Sequence, residues 1–508
     1  MKRTCVKAGA PVGLAAACLL VIAGCAAGPD YVRPTASTAN GYSSAPLPTQ
    51  TSSAPVQGGA SQQFVAGQDI PAQWWTLFRS PALNALIEHA LKKNPNLAAA
   101  DAALRVAQEN LYAQQGAFFP SVTASYTPSR QKTPIGSLTT NATSGASLYN
   151  LHTAQLNIGY TLDVFGANRR EVESLQAQAE SQRFQLEAAY LSLTSNLVVA
   201  AIQEASLRGQ VASTEALIKL EQEQMDLLKQ QLSAGAIAEA GVVAQEAILA
   251  QTKATLPPLS RQLAQQRDLL AALAGHTPGD FAVEDFDLAM LDLPQTLPLS
   301  LPSKLVEQRP DIRSAEEQLH AASAQIGVAQ ANLLPQITLN ATGGSVAYEI
   351  SQLFRSGNAF WTIAAGVTQP IFDGATLLHR KRAAEATYDQ AAAQYRATVI
   401  AAFQNVADAL QALRFDADAL QEAVNAERAA DSSLVIAKRQ VEIGDVSDLA
   451  LLAAEQTYQQ ALINLVQARA NRYADTAALF QALGGGWWNR SEADLVSQKS
   501  TPELRGVP

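Results

Sequence analysis

All three cysteines of this chain, Cys5, Cys18 and Cys25, fall within its first 25 residues, so its thiol chemistry is confined to that end. Past Cys25 no disulfide and no thiolate metal site can form. Cys25 is preceded by Val21-Ile22-Ala23-Gly24. Small residues ahead of a cysteine suit a peptidase that cuts before a Cys already carrying diacylglycerol. Cys25 is therefore the candidate lipidated residue. The other reactive residue types form no set. The five histidines (His89, His152, His276, His320 and His379) show no metal-ligand spacing and read as structural or solvated. Beyond the leader only Met225 and Met290 remain, so there is no methionine ladder for copper or silver. No Gly-rich phosphate loop, nucleophile elbow or HExxH pattern appears, and neither an enzyme nor a bound cofactor is expected.

The elements that position Cys25 begin with a leader. Lys2, Arg3 and Lys7 precede an apolar run from Gly13 to Ile22, and 1–24 reads as a signal peptide. The apolar run is too short for a comfortable span of about 20 residues. Its ending resembles the cleavage motif of bacterial lipoproteins. In that group an Asp after the Cys commonly retains the protein at the inner membrane, so Ala26 implies an outer-membrane destination. Residues 25–70 are rich in Ser, Thr, Pro, Gly and Gln and read as a lipid-anchored extended tether without a core of its own.

The chain has 508 residues, 48% hydrophobic and 16% charged, enough for a core, but Ala and Gln outweigh Leu and Ile. That composition suits closely packed helical arrays. Cleavage before Cys25 removes three basic residues and no acidic one, taking the net charge from −9 to −12. With no basic stripe, nucleic acid is excluded as a partner class.

The longest pattern runs over Ala375–Ile443, 69 residues without Gly or Pro. Ala392, Val399, Val406 and Leu413 repeat every seven residues, as do Tyr388, Tyr395, Ala402 and Ala409. That period belongs to a helix lying along other helices, roughly 100 Å long at 1.5 Å per residue. Ala167–Ala234 is a second such stretch, interrupted only by Gly209. Each is fed from a strand-like run. Leu156, Ile158, Tyr160, Leu162 and Val164 alternate with Asn157, Gly159, Thr161 and Asp163. Such a dyad is either a half-buried strand of a soluble sheet or a barrel strand, apolar to lipid and polar to a lumen. The leader and the helix lengths favour the second. Tyr126, Tyr149, Tyr160, Phe165, Phe360, Trp361 and Phe372, near strand ends, then suit an interfacial girdle.

The second half rehearses the first. Asn94-Pro95-Asn96-Leu97 matches Arg309-Pro310-Asp311-Ile312, and Phe118-Phe119-Pro120 matches Leu333-Leu334-Pro335. Gly235 matches Gly444. The reading is a duplicated module. The first repeat covers 71–300, with hairpin 119–165, long helix 167–234, return helix 239–274 and a linker. The second covers 301–486, with hairpin 335–372, long helix 375–443 and return helix 447–483. Residues 487–508 form a tail on the equatorial region. Pro257-Pro258 should kink or split the first return helix. Four strands (about 119–128, 152–165, 335–343 and 360–372) cannot close a barrel, and an open edge in lipid leaves backbone groups unpaired. Several chains must share one.

Trp74-Trp75-x-x-Phe78, Pro81-x-Leu83-x-x-Leu86-Ile87, Arg309-Pro310-Asp311-Ile312-Arg313-x-Ala315-Glu316, Ala329-x-Ala331-x-x-Leu334-Pro335 and Gly484-Gly485-Gly486-Trp487 follow in order. On these motifs the chain resembles the TolC-like outer-membrane factors, in the lipoprotein subgroup of multidrug efflux channels, from Cys25 to Trp488. The resemblance implies a mixed α and β membrane protein: a homotrimer with a 12-stranded outer-membrane β-barrel, four strands per chain, continued by a 12-helix periplasmic α-barrel. It implies a passive exit duct of a tripartite pump. Partners would be a periplasmic adaptor, an inner-membrane transporter of the resistance–nodulation–division type, and outer-membrane lipid. Covalent lipid would comprise diacylglycerol and an N-acyl chain (palmitate) on Cys25. The adaptor would dock on the helix turns, at Gly235, Ala236, Gly444 and Asp445. The family's aperture segment corresponds to Leu449-Ala450-Leu451-Leu452-Ala453-Ala454-Glu455-Gln456. Leu449 matches the apolar constriction. Ala453 stands where many members carry a gate Asp, and Asp445 or Asp448 could supply charge nearby. The alternatives are an exit duct for type I protein secretion and a non-conducting periplasmic scaffold lipoprotein.

Overall fold

The computed structural model describes residues 26–35, 41–42, 48–132, 148–281 and 284–490; of Asp448 and Leu449 it describes the backbone alone. Cys25 lies outside the described residues. In chain order the elements are β1 (Gln63–Ala66), α1 (Pro81–Lys93), α2 (Pro95–Gln115), β2 (Ser121–Lys132), β3 (Leu148–Leu162), α3 (Ala167–Ser233) and α4 (Glu239–Leu273), then β4 (Thr296–Leu299), α5 (Pro302–Gln308), α6 (Pro310–Ala331), β5 (Gln336–Ala347), β6 (Ala359–Thr368), α7 (Thr376–Glu442) and α8 (Asp448–Ala482). The chain forms two compact units: Met1–Pro34, Leu104–Gln182 and Ala315–Tyr395 in the first, and Thr35–Ala103, Arg183–Ser314 and Arg396–Pro508 in the second.

The first unit carries an antiparallel four-stranded sheet in the order β2-β3-β5-β6. β3 and β6 stop short of the expected ends at 165 and 372, whereas β2 and β5 run past 128 and 343. Val164 continues the dyad, yet β3 ends at Leu162 because the Asp163 carboxylate accepts the backbone N–H groups of Asn168 (2.9 Å) and Arg169 (3.0 Å). Asp163 caps α3, and a capping bond outweighs one more strand residue. Asp373 accepts the Leu377 N–H at 2.8 Å ahead of α7. Residues 26–34 lie on this unit. The Ala27 N–H donates to the Phe165 carbonyl at 2.9 Å, Arg170 reaches Asp30 at 2.6 Å and Glu173 at 2.7 Å, and Arg33 reaches Glu316 at 2.6 Å. Tyr31 stacks on His320 with ring centroids 4.2 Å apart.

The second unit is built on Trp74, Trp75 and Phe78, all buried. Trp74 stacks on Phe480 at 5.3 Å and Phe78 packs by Tyr473. The two halves of the chain close in the same way here. Asn94 donates to the Leu273 carbonyl at 2.9 Å, and Arg309 donates to the Ala482 carbonyl at 3.0 Å. A side chain on Gly275 would meet the Lys93 carbonyl oxygen at 2.5 Å; one on Gly484 would meet that of Gln308 at 2.7 Å. In each repeat the residue before the proline ties off an end carbonyl of the return helix.

Two features were invisible to composition. The polar stretch before Trp74 has no core of its own, but residues 48–70 pack on α7 and α8. Ala54 joins Leu420 and Val424, and β1 pairs in parallel with β4. Few apolar side chains are needed, because hydroxyls and backbone groups supply partners for Arg472. The second feature concerns Pro257 and Pro258, which stand inside α4 without splitting it. Both are exposed, so water takes up the carbonyls whose N–H donors the prolines remove.

Asp475 on α8 is hydrogen-bonded to Asp416 on α7. Burial first, then the bond to and the charge of Asp416, push its carboxyl up to about 8. A raised carboxyl pKa means the folded chain holds a proton that the unfolded chain releases. This contribution to stability is complete below about pH 4 and is lost as pH rises through about 8. Asp475→Asn is therefore expected to raise the thermal midpoint by several degrees at pH 8 and to leave it unchanged near pH 4. Equal midpoints for the two chains across pH 4 to 8 would refute the shared proton.

Candidate functional site

Antiparallel register puts directly opposed residues on one face of a sheet. Val122 opposes Ile158 and Ala124 opposes Leu156; on the next pairing Leu156 opposes Gly343, Ile158 opposes Ala341 and Tyr160 opposes Leu339. Gly343, Ala341 and Ile337 in turn oppose Trp361, Ile363 and Val367. One face is therefore apolar across all four strands. The other carries Thr123, Asn157, Thr342 and Thr362 in one row, and Ser121, Gly159, Asn340 and Ala364 in another. The apolar face is bare: Trp361 is 77% exposed, Ile363 76% and Val367 69%. Each such side chain forgoes about 1.5–3 kcal/mol by remaining in water. The long outer edges of β2 and β6 pair with no strand among the described residues. A bare apolar face, a hydroxyl- and amide-lined opposite face and two edges unpaired among the described residues are the features of barrel strands that face lipid on one side and a lumen on the other. No described helix is long and apolar enough to cross a membrane.

The turns between long and return helices are alike. The Gly235 N–H donates to the Leu232 carbonyl and that of Ala236 to Gln231; the Gly444 N–H donates to Val441 and that of Asp445 to Gln440. This is the paired closure of a helix by a left-handed glycine, with φ +73° at Gly235 and +75° at Gly444. Gly235, Ala236, Gly444 and Asp445 are all exposed. Behind the first turn Ile237 and Leu232 pack with Met225, Val242 and Leu249.

On α8, Ala453 is exposed and shares a face with Thr457, Gln460 and Asn464, also exposed. Leu449 and Asp448 sit at its start, and their side chains lie outside the described residues. The sequence puts Ala453 where a gate Asp is common and offers Asp445 and Asp448 as nearby charge. The structure brings two buried acids close by: Glu455, and Glu221 on α3, whose Oε1 accepts the Thr252 hydroxyl at 2.9 Å. Burial pushes both carboxyls up, and Glu221 and Glu223 push Glu455 further. Both helices are long and mixed in character, so periodicity carried no sign that these positions face inward.

The family model for outer membrane efflux proteins matches residues 86–276 and 301–485. A toluene efflux pump outer membrane protein, TtgC of Pseudomonas putida, is 29% identical over 491 residues, covering 95% of this chain and 97% of that protein. The pyoverdine export outer membrane protein OpmQ of Pseudomonas aeruginosa is 30% identical over 429 residues, 82% of this chain and 87% of that one. Among solved structures, the outer-membrane channel OprN superposes with a TM-score of 0.80 at 29% identity, covering 91% of this chain and all of that one. The open MtrE channel of Neisseria gonorrhoeae gives 0.78 at 26%, covering 91% and 99%. The match spans both repeats and includes the two-faced sheet. The chain thus belongs to the outer membrane efflux protein family, as the outer-membrane exit duct of an efflux pump.

Proposed function

We propose that three copies of this chain close one 12-stranded barrel and continue it into the periplasm as a barrel of 12 helices, giving a single passive pore. The sheet carries this reading. Its polar face needs water, its apolar face needs lipid, and its free β2 and β6 edges need each other in a neighbouring copy. Three copies give a lumen wider than side chains fill. No catalysis is required; the driving energy belongs to the inner-membrane transporter, proposed to be of the resistance–nodulation–division type. The relatives' names mention toluene and pyoverdine, so small organic molecules are the proposed cargo. The test is conductance of the purified protein in planar bilayers, with drug accumulation in a strain lacking the chain. Ion-conducting, heat-resistant trimers and restored export support the duct. Trimers without conductance return the chain to a scaffold.

Lipid on Cys25 fits the same picture. Ala27 is bonded to Phe165, where β3 gives way to α3, so the anchor would lie at the rim of the membrane sheet. The adaptor is proposed to dock on the exposed turns at Gly235, Ala236, Gly444 and Asp445. Ala236→Asp combined with Asp445→Lys is expected to weaken adaptor binding about tenfold, a cost of about 1.4 kcal/mol, and to raise drug sensitivity. Bilayer conductance of a chain carrying Ala236→Asp alone, outside the proposed aperture, should stay normal. Undiminished adaptor crosslinking would move the docking site elsewhere. The aperture is proposed at the start of α8, from Leu449, Ala453, Asp445 and Asp448. Leu449→Ala is expected to raise single-channel conductance; an unchanged value removes Leu449 from the constriction.

A further inference from the structure

His89 and His276 are 187 residues apart in sequence, and their Nε2 atoms approach to 2.7 Å. The rings are 20° from parallel with centroids 5.0 Å apart. That separation is the nitrogen–nitrogen distance plus a ring radius at each end, so the rings meet head to head with both Nε2 atoms on the line between them. Phe281 lies parallel to both, 4.8 Å from His276 and 5.4 Å from His89, abreast of the junction. The backbone under the pair is fixed. His89 sits on α1, and the His276 N–H closes the end of α4 by donating to the Ala271 carbonyl at 3.0 Å. Asn94, just past α1, is bonded to Leu273 of α4.

We propose that this pair is a binding site for a divalent late-transition-metal ion, with Zn2+ as its simplest occupant. Imidazole nitrogen is a preferred ligand of Zn2+, Cu2+ and Ni2+. In the metal-free chain one Nε2–H donates to the other Nε2; to bind the ion that histidine passes its Nε2 proton to solvent and takes one at Nδ1, so both Nε2 lone pairs face the ion and no net proton is released. Zn–N bonds of about 2.0–2.1 Å at a tetrahedral angle need the nitrogens roughly 3.3 Å apart with each lone pair aimed at the ion, so the rings must part by roughly half an ångström and swing out of line by side-chain rotation. Among the described residues no three His, Cys, Asp or Glu side chains converge, so water completes the coordination. Both histidines are only half-buried, so water can reach the pair. Lys92 and Lys93 lie close enough to His89 for their charges to act on it. The same lysines oppose a cation, an effect that salt screens at a half-exposed site.

The experiment titrates Zn2+ into the purified full-length protein at pH 7.5 by calorimetry, beside His89→Gln and His276→Gln chains. One Zn2+ per chain is expected for the parent and none at this site for either variant. Zn2+ should raise the thermal midpoint of the parent alone. Anomalous diffraction from Zn2+-soaked parent crystals, which does not depend on the variants folding, should place one peak between the two Nε2 atoms. Absence of that peak, or equal Zn2+ uptake by parent and both variants, leaves a simple N–H···N bond and overturns the proposal.

Discussion

Ile363→Lys is expected to remove the protein from the outer membrane, whereas the same lysine one residue earlier, at Thr362, is expected to leave it there. Ile363 lies mid-strand in β6 on the bare apolar face, opposite Ala341; Thr362 points the other way, opposite Thr342. A lysine toward lipid near the bilayer midplane costs about 2–4 kcal/mol, so the proposed three-chain barrel would lose about 6–12 kcal/mol. A lumen-facing lysine stays hydrated and alters only selectivity. The measurement is the amount of heat-resistant oligomer in outer-membrane extracts, with bilayer conductance for the Thr362→Lys chain. If both lysines are tolerated equally, the two faces see the same solvent and the wall between lipid and lumen is wrong.

The second large effect is expected at Arg472, whose side chain is fully buried in α8. Its Nη2 donates to the Thr51 hydroxyl at 3.0 Å and to the carbonyls of Ser52 (3.3 Å) and Ala60 (2.7 Å); Nε reaches Gln62 Oε1 at 3.5 Å. Gln62, itself buried, donates on to Thr476 at 3.0 Å and to the Pro294 carbonyl at 2.9 Å. Removing the guanidinium strands several buried acceptors at once. Each costs about 1–3 kcal/mol, so Arg472→Leu is expected to destabilise the second unit by about 3 kcal/mol or more. Arg472→Lys should recover little, because a single ammonium cannot span the same acceptors. The signature is rapid protease cleavage within residues 48–70 while α7 and α8 remain helical. Unchanged cleavage would mean that apolar contacts around Ala54 alone hold the segment.

Some of this protein is written in local sequence. The long helices follow from 69 residues without Gly or Pro on a seven-residue repeat, and the turns follow from Gly235 and Gly444, because helix continuity and left-handed caps depend on neighbours a few residues away. The dyads also marked the strands, but not their ends. A carboxylate at Asp163 decides whether a backbone joins a sheet or opens a helix, and that choice depends on where α3 begins. Register was beyond the sequence as well. Only the pairing of β2, β3, β5 and β6 shows that every apolar dyad falls on the same side. The seating of residues 48–70 on Arg472, the approach of His89 to His276 and the inward turn of Glu455 were likewise decided by tertiary structure. In each case the partners lie tens to hundreds of residues apart, and nothing in local periodicity or composition records which distant groups will satisfy a buried donor or acceptor.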